Sequence, residues 1–131
     1  MLPRAAVLLC AVLGLGFAAG PAQAVLQTTV TVQSAQLVNS SEVRVAGTIT
    51  CDAPGEFIMR VRLQQGRQPA EGFGLIDSPQ ACSAGEPDTW TVTVSGGPFK
   101  HGKALVFADG TECDPDGCSQ DTDERTIRIR R

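Results

Sequence analysis

Apolar and polar residues alternate with a period of two along most of the chain. Val30 and Val32 are set among Thr29, Thr31 and Gln33, the pattern of a strand with one buried face. Val43, Val45 and Ile49 alternate with Glu42, Arg44, Ala46, Thr48 and Thr50. Gly47 falls on the apolar parity of that run, where a neighbouring side chain needs room. Cys51 shares the same parity, so its sulfur is expected to point inward. Phe57, Met59, Val61 and Leu63 alternate with Ile58, Arg60, Arg62 and Gln64. Phe73 and Leu75 form a weaker run between Gly72, Gly74 and Ser78-Pro79. Trp90, Val92 and Val94 alternate with Thr89, Thr91, Thr93 and Ser95, and Gly96-Gly97-Pro98 ends the run. The Lys103–Ala108 stretch carries apolar residues on both parities, which predicts a central strand. Ile127 and Ile129 close the chain among Thr126, Arg128 and Arg130.

Helical spacing is not sustained anywhere in this body. Seven short strands punctuated by turn residues predict an all-β domain, a seven-stranded antiparallel sandwich of immunoglobulin-like type. A closed barrel is the second architecture that fits such spacing.

The first 24 residues read differently. Arg4 is followed by an apolar run from Ala5 to Ala19, Gly20-Pro21 breaks it, and Ala22-Gln23-Ala24 has the small-x-small form of a cleavage site. The run is about 15 residues, short of the roughly 20 that span a bilayer. Residues 1–24 are therefore expected to be a signal peptide and 25–131 the secreted domain, with no membrane span after cleavage. Cys10 lies inside the apolar run behind Leu9, which does not fit a lipidation site.

The 131-residue chain has 11 Lys+Arg against 14 Asp+Glu, a net charge of −3. Loss of Arg4 with the leader leaves ten basic against fourteen acidic side chains, or −4. That balance argues against a nucleic-acid partner, which calls for a basic excess. Tyrosine is absent, and there is one tryptophan and one histidine.

Loss of Cys10 also turns five cysteines into four, an even number that suits two disulfides in an exported chain. Asp114-Pro115-Asp116-Gly117 has Asp, Pro and Gly at the first, second and fourth positions of a type I turn. Such a turn brings Cys113 to Cys118 and leaves Cys51 for Cys82. In the chain-entropy model the longer loop is worth about 3.5 kcal/mol and the shorter about 2 kcal/mol. A Cys51–Cys113 link, as between the second and sixth strands of antibody domains, is the rival. Those domains carry their tryptophan on the third strand, whereas Trp90 lies on the fifth. Zinc is disfavoured by the C-x4-C spacing and by export.

The leader, the Val43–Cys51 run (VRVAGTITC), the Thr89–Val94 run (TWTVTV) and the Pro98–Ala104 segment (PFKHGKA) resemble small secreted immunoglobulin-like proteins of actinobacteria. The resemblance covers most of the secreted part. It implies a sandwich and export and brings no function with it. The Cys113-x4-Cys118 hairpin before the last strand is also similar to that of the neocarzinostatin-type apoproteins, which hold a chromophore in a sandwich cleft. Their other disulfide spans a short hairpin, whereas Cys51 and Cys82 are 31 residues apart, so no chromophore-binding residue is carried over.

Candidate chemistry is sparse. Asp109, Glu112, Asp114, Asp116, Asp121, Asp123 and Glu124 fall within sixteen residues without a basic residue among them. Read as a loop, this segment offers Asp114, Asp116 and Asp121 as calcium ligands, although the spacing departs from an EF-hand. A solvated acidic loop is the plainer reading. Arg44, Arg60 and Arg62 face outward, and Arg128, Arg130 and Arg131 make the last strand basic. They gather into one face for an anionic envelope polymer only if the last strand neighbours the third through the sixth. His101, in a turn before Gly102, has no nucleophile motif near it, and Trp90 reads as a core anchor. Asn39-Ser40-Ser41 matches a glycosylation acceptor, which an exported bacterial protein would not use.

The expectation is a secreted, non-enzymatic domain without cofactors that binds an extracellular or cell-envelope protein or a small ligand. A small-molecule carrier and an exported protease inhibitor, the latter working through the Cys113–Cys118 loop, are the alternatives.

Overall fold

The computed structural model describes residues 27–131. The expected leader, Cys10 and the cleavage site lie outside that range. Eight strands follow one another: β1 (Thr29–Asn39), β2 (Glu42–Thr50), β3 (Gly55–Gln65), β4 (Ala70–Leu75), β5 (Gln80–Cys82), β6 (Pro87–Gly97), β7 (Gly102–Asp114) and β8 (Gly117–Arg130).

The strands form one continuous sheet in the order β4-β6-β2-β1-β8-β7-β3-β5, and β4 also pairs with β3. That last pairing closes seven strands into a barrel and corrects the expected sandwich. Two antiparallel sheets are indeed present, β4-β6-β2-β1 and β8-β7-β3, but both of their junctions are hydrogen-bonded. One junction is β4, which pairs with β3 over six residues and with β6 over three, Glu71–Phe73 against Ser95–Gly97. The other is a parallel contact of β1 with β8, Ala35 opposite Ile129 and Gln36 opposite Arg130. A sandwich leaves such edges unpaired; full closure removes them.

The β1–β8 junction continues beyond its two backbone pairs through side chains. Asp121 Oδ2 accepts from Val30 N at 2.7 Å, and Asp123 Oδ2 accepts from Val32 N at 2.8 Å. One step further, the hydroxyls of Thr28 and Ser119 are hydrogen-bonded. The two carboxylates lie on the same parity of β8 as Ile127 and Ile129. They reach across to backbone N–H groups that have no strand beside them, and a buried N–H without an acceptor is costly.

The core follows the sequence parities with one exception. Val32, Val43, Val45, Ile49, Phe57, Met59, Val61, Leu63, Trp90, Val92, Val94 and Val106 are all buried. Gly47 stands opposite Trp90 in the β2–β6 ladder, and a Cβ there would lie 2.6 Å from the indole. The exception is β4. Phe73 and Leu75, the apolar positions of this weaker run, are 49% and 51% exposed, and Gly72 and Gly74 face the core instead. A Cβ on Gly74 would sit 2.7 Å from Val92 Cγ1 and against the Thr93 carbonyl. The closing strand therefore approaches β6 too nearly for any inward side chain.

The acidic segment is also not a loop. Residues 109–124 form the far half of the β7–β8 hairpin, in register from Gly102–Ile129 to Asp114–Gly117. The two disulfides are Cys51–Cys82 and Cys113–Cys118. Cys113 and Cys118 face each other next to the hairpin turn, where Gly117 takes φ 146°. Cys51 is fully buried, and its disulfide ties the end of β2 to β5, a short strand inside the expected Pro79–Gly85 loop.

Replacing Asp121 or Asp123 by alanine is expected to lower stability by about 1–3 kcal/mol each, because a backbone donor loses its acceptor. Gly74→Ala is expected to cost a similar amount, about 1–3 kcal/mol, through overpacking. Urea unfolding checks both: the midpoints fall, whereas midpoints within error of the parent chain would remove these contacts from the account.

Candidate functional site

Two places on the barrel collect chemistry. The first is an acidic mouth at the end where β2 and β7 finish and β3 and β8 begin. Inward parity on β7 runs Ala104, Val106, Ala108, Gly110, Glu112. The last of these is a carboxylate only 1% exposed. Ser119, the third residue of β8, donates to Glu112 Oε2 at 3.1 Å. Glu112 Oε1 has no donor, and neither does the buried Oδ1 of Asp52.

Asp52 follows the disulfide-held Cys51 in the link from β2 to β3. Asp114 stands at the hairpin turn, its Oδ1 accepting from Asp116 N at 2.7 Å. One carboxylate oxygen from each of Asp52, Glu112 and Asp114 lies within 4.8 Å of the other two. Gly55 makes this close packing possible, since a Cβ there would be 2.9 Å from Glu112 Oε1. The pocket between them has a volume of about 210 Å³ and is also lined by Asp116 and Ser119.

The electrostatics follow from the geometry. Burial raises the pKa of Glu112 above its ordinary 4.5, and the neighbouring Asp52 and Asp114 raise it further, while the Ser119 hydroxyl pulls the other way. Among the described residues the ion pairs are Arg60–Asp109 and Arg125–Asp123, so these three acids have no basic partner.

Of the expected calcium ligands, Asp114 and Asp116 line this pocket. Asp121 does not belong with them: its carboxylate accepts from Val30 N in the β1–β8 junction. Asp52 was not legible as part of the site, being sixty residues from Glu112 in the chain. Glu112 carried a signal, a carboxylate on the inward parity of a strand.

The second place is the outer wall of β4, β3 and β7. The register sets Phe73, Arg62 and Phe107 in one row and Leu75, Arg60 and Asp109 in the next. The Arg62 guanidinium carbon lies 5.2 Å from the Phe107 ring centroid, within cation–π range. Arg60 is held by Asp109 at 2.7 Å, and Gln120 donates to the other oxygen of Asp109 at 2.6 Å. A groove of about 350 Å³ runs between Arg60, Arg62, Phe73 and Phe107. β8 does neighbour β3 through β7, but Asp109 and Glu124 stand among the arginines on this wall, and Arg44 is on β2. The arginines therefore do not form one basic face.

His101 sits at the opposite end of β7 from Glu112, exposed, with Nε2 accepting from Arg131 Nε at 3.2 Å. Trp90 is 1% exposed in the core. Asn39 is the last residue of β1, and its side chain accepts from Ser41 N in the turn that follows.

The raised pKa of Glu112 has a definite sign in stability. The folded chain keeps this proton at pH values where the unfolded chain, near 4.5, has already released it. Stability therefore falls as pH rises from 4.5 through the raised value. In chelator-treated solution Glu112→Gln is expected to remove that loss, so its urea midpoint exceeds the parent's at pH 7 and the gap narrows toward pH 4. A gap that does not change with pH would contradict the assignment.

No protein-family model matches the chain, and no curated protein matches it. A solved structure with partial likeness is the sporulation control protein Spo0M from Bacillus subtilis, 11% identical, with a TM-score of 0.38 over 80% of this chain. The chain spans 49% of that protein's length.

Proposed function

We propose that this chain is a secreted, non-enzymatic binding module that holds an extracellular protein partner on the outer wall of β3, β4 and β7. The observation that carries the reading is the inverted parity of β4. Phe73 and Leu75 stand half exposed on β4, and Ile58, further along the same outer parity of β3 as Arg60 and Arg62, is 41% exposed. Burying a side chain of this size is worth about 1.5–3 kcal/mol, which the isolated fold forgoes. Aromatic and arginine side chains in this arrangement match the composition of protein interfaces. The mixed charge of the wall favours a partner with an apolar side chain next to a carboxylate, which would meet Phe73 and Arg62. It fits a uniformly anionic polymer less well.

The two disulfides suit an oxidising compartment, and among the described residues no helix is long and apolar enough to cross a membrane. Both facts are compatible with export. The carrier alternative is less well supported, because the barrel interior is filled by Trp90, Phe57, Ile49, Met59 and Leu63. The inhibitor alternative is less well supported too, since the Cys113–Cys118 turn forms one wall of the acidic pocket rather than a free-standing loop.

Two measurements test the reading. Intact-mass spectrometry of protein from culture medium is expected to give a chain starting at Val25 and lighter by four hydrogens than the reduced form. A photo-cross-linking residue, benzoylphenylalanine, in place of Phe73 is expected to trap one discrete protein on producing cells. The same residue at Thr48, on β2, is expected to trap none, and Arg62→Ala is expected to reduce the Phe73 adduct at least tenfold. Equal labelling from both positions, or an adduct indifferent to Arg62, would overturn the assignment.

A further inference from the structure

We propose that the acidic mouth of the barrel is a calcium site, with Asp52, Glu112 and Asp114 as its protein carboxylates. The spacing fits one ion. Two oxygens each about 2.3–2.6 Å from the same calcium can be no more than about 5 Å apart, and the three carboxylates supply oxygens all within 4.8 Å of one another.

The second observation is independent of the cluster itself. Glu112 is only 1% exposed on the inward parity of β7, its side chain lines the pocket, and its buried Oε1 has no donor. The adjoining Oδ1 of Asp52 is likewise buried and unpaired. A buried carboxylate needs a hydrogen-bond donor or a counter-charge, and a cation at the mouth would serve both oxygens at once.

The site is built rather than incidental. Asp52 is anchored by the neighbouring Cys51–Cys82 disulfide, and Asp114 by the Cys113–Cys118 hairpin. Asp114 Oδ1 is taken by the Asp116 N–H, which leaves Oδ2 free to ligate. The donor set is all oxygen, with the cysteines sequestered in disulfides, which selects a hard cation over zinc. Three carboxylates in a 210 Å³ pocket leave room for several waters. That irregular, partly hydrated geometry suits calcium, with six to eight ligands, better than octahedral magnesium. The limited charge count points to a Kd of roughly 10⁻⁴–10⁻³ M, the range of extracellular calcium modules. The site is separate from the proposed partner wall and stands or falls independently of it.

The test uses the disulfide-intact chain in chelator-stripped buffer, titrated with calcium chloride by calorimetry and followed in parallel by thermal unfolding. One bound ion per chain is expected, with Tm rising by roughly 5–10 °C at about ten times Kd. Glu112→Gln and Asp52→Asn, which keep side-chain shape, are each expected to weaken binding at least tenfold. Asp77→Asn, on an exposed turn, is expected to leave it unchanged. Asp114→Asn replaces either variant if that one does not fold. No heat and no Tm shift up to about 10 mM calcium, ten times the weak end of that range, would overturn the proposal. So would equal binding by the parent and the Glu112 variant, or tighter binding of magnesium or zinc than of calcium.

Discussion

A strand edge must give its backbone groups a partner, and in this molecule part of that requirement is met by carboxylates. β1 pairs with β2 along its length, and its other edge meets β8 with only two backbone pairs. Along the rest of the contact Asp121 and Asp123 take the N–H groups of Val30 and Val32. Hydrogen bonds to ionised acceptors are shorter and stronger than neutral ones, so two side chains can stand in for a missing stretch of ladder. If this junction opened, the barrel would unroll into one open sheet with β1 and β8 as free edges, since β4 still joins β3 to β6. Ser119, set opposite Glu112 by the β7–β8 ladder, would also lose its hydrogen bond to Thr28.

The acidic residues of the β7–β8 hairpin divide by what faces them. Asp109 meets Arg60 and Gln120 on the outer wall, and Asp121 and Asp123 meet backbone donors of β1. Each of these is a structural acceptor. Glu112 and Asp114, joined by Asp52 from the other side of the mouth, meet mainly one another. Three carboxylates in one small space repel, and a fold that keeps them there while satisfying the rest of the segment has singled out one place for a counter-charge. The outer wall shows a related imbalance in the apolar sense, with glycine turned to the core of β4 and phenylalanine and leucine turned to solvent.

The strands themselves were legible, because period-two alternation is a local property and a buried face enforces it residue by residue. Gly47 could be read as a place left for a neighbour, and Trp90 is that neighbour. Closure into a barrel was not legible. It depends on three pairs between β4 and β6 and on contacts between residues about ninety positions apart, none of which alters the alternation. The parity of β4 runs against side-chain size for a physical reason: size usually decides which face goes inward, but near the closing seam only glycine fits against Val92 and Val94. The acidic segment was misread as a loop because aspartate is rare in strands. Its aspartates are tolerated here because four of them, Asp109, Asp114, Asp121 and Asp123, have donors to accept from. Asp52 gave no signal in the chain, since only the fold brings it to Glu112.

Native-state hydrogen exchange of the Val30 and Val32 amides tests the closed junction most directly. If Asp121 and Asp123 seal the barrel, both amides are expected to exchange as slowly as those of the central ladder, such as Val45 and Val61. Fast exchange at Val30 and Val32 beside a protected Val45 would mean an open edge, and the closed barrel described above would be wrong.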